Sequence, residues 1–183
     1  MSLEKLGHPS YLVSVHRNSH QSLSFDSQMA LPFALQSIST REAIADAVYR
    51  AVQGIDTNDL PLFKSALTED VSMEATGMGV IQADDIVNKM FSGVGPMDTT
   101  HIISNIRINA EEDGHTASMT AYAVAQHFRK GEGHDPAAPG LLSGGIYTLE
   151  LVKDSKDGLW KVRKWVVDFK WMEGDRSIMT WQQ

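Results

Sequence analysis

The sequence predicts an α+β fold, with three N-terminal helices covering the concave face of a curved antiparallel sheet. Three observations carry this expectation. Apolar residues recur at helical spacing between residues 40 and 94. After Pro96 the pattern changes to long alternating segments. Asp-Gly pairs at 113–114 and 157–158 then supply hairpin turns between them.

Taken in order, residues 1–38 hold Ser, His, Gln and Asn with no sustained period and read as a tail or peripheral arm. Tyr11-Leu12-Val13 is too brief for a signal segment. Met29, just before the folded patterning, is a candidate alternative start. The folded domain is expected over 39–175, with 176–183 as a C-terminal tail. Ser39 or Thr40 followed by Glu42 signals a helix start. Ile44, Val48, Ala51, Val52 and Ile55 then mark an amphipathic helix over 40–53, ended by Gly54. Asn58 or Asp59 caps a second helix with Pro61 in its first turn and Leu62, Phe63, Ala66 and Leu67 inside. A short strand over 70–76 leads to a Gly77/Gly79 turn and a third helix over 83–94, stopped by Gly93, Gly95 and Pro96. Strands follow at 100–110, 116–129, 144–153 and 159–171, with a Gly/Pro-rich loop at 130–140.

Composition narrows the function. A chain of 183 residues, 42% hydrophobic, has material for one domain with a real core. A formal net charge of −7 argues against nucleic acid, which requires a basic surface. No apolar run approaches the roughly 20 residues that span a bilayer. The chain has no cysteine, so disulfides, thiolate catalysis and cysteine-bound zinc are excluded. A cytoplasmic location, no membrane and no nucleic-acid partner are the expectation. No histidine pair in the core has metal-ligand spacing, and "GGIY" lacks the helix and Lys of a phosphate loop. Neither metal nor cofactor is expected, and Ser143 lacks the setting of a nucleophile elbow.

The candidate chemistry lies on the strands. In "TTHIISNIRI" (99–108), alternation puts His101, Asn105 and Arg107 on one face of a strand that could bury apolar residues instead. That face meets water or a substrate. On the next strand the odd positions Ala117, Met119, Ala121, Ala123 and Ala125 are small and apolar and end in His127. Two histidines on neighbouring antiparallel strands can enter one cavity, although a single histidine on such a face is more often a core residue. Asp56 is either a turn residue or a carboxylate that holds a histidine in one tautomer. His115 and His134 fall in loops, and His8, His16 and His20 in the tail. Trp160, Trp165, Phe169 and Trp171 read mostly as core or subunit contact, with a minority lining a flat-ring site.

These residues resemble the SnoaL-like, scytalone dehydratase-like branch of the NTF2-like superfamily over about residues 39–172. The anchors are "GIDTNDLPLFKSAL", "TTHIIS", "AVAQHFRK" and "DGLWKVRKWVVDFKW", in that order and spacing. The resemblance implies a conical barrel and a catalytic Asp with two histidines, here Asp56, His101 and His127. Two tyrosines that hold a water on the dehydratase's substrate ketone are replaced by Ile55 and Glu74. Its serine and asparagine fall near Ile146 and Thr148. Glu74 is therefore expected as a carboxylate in the pocket or on an exposed strand face. With Tyr49, Asn105, Tyr147 and Phe169 it completes the expected substrate-binding set. The implied activity is a cofactor-free lyase or isomerase, dehydratase-like, on a small polyketide- or terpenoid-derived secondary metabolite. A cyclase of the same pathway type, or a non-catalytic small-molecule-binding module, is the alternative. His127, the more desolvated, is expected to be the base and His101 the acid. A homodimer or homotrimer is expected through the outer sheet face, which carries Val124 and Phe128.

Overall fold

The computed structural model describes residues 32–179. The expected arm over 1–38 and the start at Met29 lie almost wholly outside these residues. Residues 32–38 carry no regular structure and are mostly exposed.

Helix α1 (Thr40–Asp56) begins with a capping box: Ser39 Oγ accepts from the Glu42 N–H, and the Ser39 N–H donates to the Glu42 carboxylate. Gly54 does not end this helix, contrary to expectation. It is the point where α1 crosses helix α2 (Leu60–Ser65), and a Cβ there would sit 2.6 Å from the Phe63 backbone nitrogen. The helix therefore runs two residues further and ends on Asp56. Asp59 caps α2 through its side chain.

Strand β1 (Leu67–Ala75) pairs with β2 (Met78–Gln82), an edge strand the sequence reading missed. A helical segment over 83–94, here α3, follows; its centre, Ile86–Phe91, is a π-helix. The long strands are β3 (Asp98–Ala110), β4 (Thr116–Phe128), β5 (Leu141–Lys153) and β6 (Trp160–Gly174). The sheet runs β2-β1-β6-β5-β4-β3, and β1 lies parallel to β6 while every other pair is antiparallel.

This curved sheet buries its inner face against the helices. Ile44, Val48, Phe63, Met119, Leu149 and Val162 are completely or almost completely enclosed. Each such side chain contributes roughly 1.5–3 kcal/mol of burial. The odd face of β4 is buried from Ala117 to His127, as alternation predicts. Buried Arg50 ties α1 to the last residue of α2 and to β6 by bonding Asp46, the Ser65 hydroxyl and carbonyl, and the Trp160 carbonyl. Beyond β6 the chain does not trail away at once. A 3-10 turn (Arg176–Ile178) returns it to the core, where Ile178 and Met179 are buried. Residues 180–183 of the expected tail lie outside the described residues.

Candidate active site

Between the helices and the inner sheet face lies a cavity of about 60 Å³. His101, His127, Ser143, Tyr147 and Trp165 are the lining residues whose side chains carry polar atoms. Met73, Met90, Met179 and Phe169 supply much of the apolar wall. The space is far below the roughly 300–1,000 Å³ of most ligand pockets, so an occupant must displace wall side chains. A wider open depression of about 680 Å³ beside the 130–140 loop is lined by Gln126, Phe128, His134 and Glu173 among others. No bonded acid–base pair faces that depression. The bonded pair instead reaches the small cavity, which is the candidate site although it is the lesser space.

Asp56 is the last residue of α1, at the negative end of the helix dipole, where a carboxylate is normally disfavoured. Strand β3 compensates. The His101 N–H donates to Asp56 Oδ2 at 2.8 Å, and the Thr99 hydroxyl donates to Oδ1 at 2.7 Å. His101 Nδ1 lies 2.6 Å from the same Oδ1. Burial pushes the Asp56 carboxyl up, but the bonds and charge of His101, with help from Thr99, outweigh it and leave Asp56 below its usual value. An ionised carboxylate on Nδ1 fixes the proton there and leaves Nε2 as the nitrogen with a free lone pair in the neutral ring. Asp56 itself faces a neighbouring surface groove and acts on the cavity through the His101 ring.

His127 stands beside His101, with ring centroids 5.3 Å apart and planes at 88°. It is 2% exposed. Burial, and then the nearby His101, depress it to about 4, so it is neutral at physiological pH. Its Nδ1 meets only the Leu141 carbonyl, at a long 3.4 Å. Tyr147 is buried and meets Trp165 edge-on, with centroids 5.1 Å apart. Burial, then the Asp56 charge, push its phenol well above the ordinary value, so it stays protonated.

Three of the expected binding residues do not reach the cavity. Asn105 occupies a β-bulge with φ of +51°, a conformation that Asn tolerates better than most residues. The extra residue shifts the register, so Ile106 and Ile108 take the inner face while Asn105 and Arg107 are exposed. Glu74 is exposed because the inward positions of β1 are Met73 and Ala75. Tyr49 is 44% exposed on the outer side of α1, whose buried stripe runs through Val48, Ala51, Val52 and Ile55. Tyr147 and Phe169 do line the cavity. Ile146 and Thr148, matched by spacing to the dehydratase's serine and asparagine, do not line it; Ser143 and Tyr147 do.

Sequence reasoning missed Thr99, Ser143 and the methionines. Thr99 was legible, since it sits two residues before His101 on the same face. Ser143 was hidden because Gly144-Gly145 read as the start of the strand, which in fact begins at Leu141. Gly144 is there to let the Trp171 ring lie against the strand.

A conical α+β fold of this topology is that of the NTF2-like class. The chain belongs to the SnoaL-like domain family, whose model matches residues 36–166. It is 43% identical over 150 residues to terrestric acid biosynthesis cluster protein E of Penicillium crustosum, covering 81% of this chain and 96% of that one. Solved structures share the fold. A Kribbella flavida protein superposes with a TM-score of 0.66 at 18% identity over 77% of this chain and 97% of its own. A scytalone dehydratase candidate from Novosphingobium aromaticivorans gives 0.62 at 21% identity, covering 74% and 87%. A hexachlorocyclohexane dehydrochlorinase from Novosphingobium barchaimii gives 0.59 at 18%, covering 75% and 90%.

Proposed function

We propose that this protein is an acid–base lyase or isomerase acting on a small intermediate of secondary-metabolite biosynthesis, with Asp56, His101 and His127 as its working set. The observation that carries it is the 2.6 Å contact between Asp56 and His101 Nδ1, at the wall of the small cavity between helices and sheet. A binding module has no need of a half-buried carboxylate spent on one imidazole. The relative in a fungal biosynthesis cluster supports the pathway type.

His101 Nε2 takes a proton from a substrate carbon next to a carbonyl. The imidazolium so formed is stabilised by ionised Asp56. The C–H electron pair moves into a new double bond. In a dehydration, a hydroxyl leaves from the adjacent carbon and receives the proton back from His101, so that water departs and the enzyme is restored. In an isomerisation the proton returns to another carbon. The expected division of labour is thereby reversed. Burial keeps His127 neutral but makes its protonated form costly, by on the order of 3 kcal/mol relative to a free imidazole. It suits a hydrogen bond from a substrate hydroxyl better than a proton transfer.

The test is incubation of the purified protein in D₂O with the small-molecule pool of a producing strain, followed by mass spectrometry. Wild type should deplete one compound, either with loss of water or with deuterium gained, and His101→Asn should not. Depletion by both proteins alike, or by neither, would remove the proton-transfer role of His101.

A further inference from the structure

Trp165 presents a feature that proton transfer at the histidines leaves unused. The residue is 2% exposed on the cavity wall. Its indole Nε1 is fully enclosed and has no hydrogen-bond partner among the described residues. Buried indole N–H groups ordinarily find an acceptor, and each exception in a native fold asks for a cause. An indole nitrogen can only donate. The two positions at which the family resemblance expects tyrosines holding a water on a substrate ketone are Ile55, which has no polar atom, and Glu74, which is exposed outside the cavity. Neither supplies a donor to a substrate oxygen here.

We infer that Trp165 is the anchor for that oxygen: its Nε1–H donates to a carbonyl of the substrate on the β6 wall, while the carbon that loses its proton lies at the histidines of β3 and β4. Three strand spacings separate β6 from β3, about 14 Å measured along the sheet and less across its curvature. The ligand class is a compact ketone or enone, held at its oxygen by a neutral donor rather than by a charge. Tyr147, edge-on to the indole and protonated, is a second neutral donor on the same side. The direction of the ligand's reacting end rests on the proposed role of His101; the anchoring of its oxygen is measurable without turnover.

The experiment uses the full chain labelled with ¹⁵N-tryptophan and two probes of matched shape, cyclohexanone and methylenecyclohexane. The Trp165 indole signal is assigned by its loss in Trp165→Phe. Cyclohexanone should move the Trp165 indole proton downfield, methylenecyclohexane should not, and the other indole signals should stay in place. In Trp165→Phe the affinity for cyclohexanone should fall roughly tenfold, towards that of the hydrocarbon. The same response should persist in His101→Asn, so a failure of the anchor and a failure of the proton-transfer role are told apart. Equal shifts from both probes, or a ketone that leaves the Trp165 signal unmoved, overturn the assignment.

Discussion

The two walls of the cavity are built on opposite principles. On the β3–β4 wall, His101 is clamped by Asp56, Asp56 is held by Thr99 and a backbone N–H, and His127 ends a run of alanines that leaves neighbouring elements no slack. On the facing wall, Met90 comes from a π-helical segment, Met179 from the chain beyond the last strand, and Met73 from β1. Methionine side chains repack at little cost, and π segments are departures from the regular helix that recur at functional sites. The contrast teaches that, on the proposed reading, the proton-transfer groups are held fixed while room for a ligand is made on the other side.

The largest effect should come from breaking the fixed wall. His101→Asn should lower turnover roughly 10²–10⁴-fold, the usual loss for one acid–base group, with little change in melting temperature. Asp56→Asn should cause a loss of similar order, and the double variant should be no worse than the poorer single one, because the two act as a unit. Additive losses in steady-state kinetics would show that they do not.

His127 sharpens the comparison through stability. Its folded value of about 4 lies below the ordinary imidazole value of about 6.5, so the unfolded chain binds its proton first as pH falls. The stability it contributes is fully present above about 6.5 and is lost as pH drops towards 4. The loss should be on the order of 3 kcal/mol. In His127→Gln, urea unfolding measured across that window should show a flatter pH dependence. An unchanged slope would mean that His127 is not desolvated as described.

The adaptable wall should respond more weakly. Met90→Leu keeps volume and removes flexibility, so stability should change by less than about 1.5 kcal/mol while kcat/KM falls a few-fold. A gain in kcat/KM would show that the wall does not need to yield.

The fixed wall was largely legible in the sequence, and the adaptable one was not. His101 and His127 follow from alternation on two strands, and Asp56, read either as a turn residue after the first helix or as a carboxylate holding a histidine, is marked by the short motif that carries the resemblance. These are local signals. Asn105 and Arg107 were misplaced because one bulge changes the parity of everything beyond it, and a bulge leaves little trace in composition. Glu74 was misplaced because the inward parity of β1 is decided by its pairing with a strand some ninety residues later. Met179 and the open donor of Trp165 are products of tertiary closure, which no window of residues contains.

The outer faces of the same strands give the mildest test. Ile102 and Tyr122 are 60% and 50% exposed there, on the paired strands β3 and β4. A contiguous exposed apolar patch on a sheet face is where a contact between copies is expected. Light scattering at micromolar concentration should show a dimer or trimer, and Ile102→Lys should shift it towards monomer with the cavity chemistry intact. A wild-type monomer would remove the oligomer.

The central claim is that Asp56 fixes the His101 ring so that Nε2 is the working nitrogen. ¹⁵N NMR of the histidine side chains reads this directly and needs no substrate. Neutral His101 should carry its proton on Nδ1, with that proton far downfield as a short bond to a carboxylate requires, and Nε2 should be unprotonated. The downfield signal should vanish in Asp56→Ala and persist in His127→Gln. A His101 ring protonated on Nε2, or an Nδ1 proton indifferent to the loss of Asp56, would contradict the account.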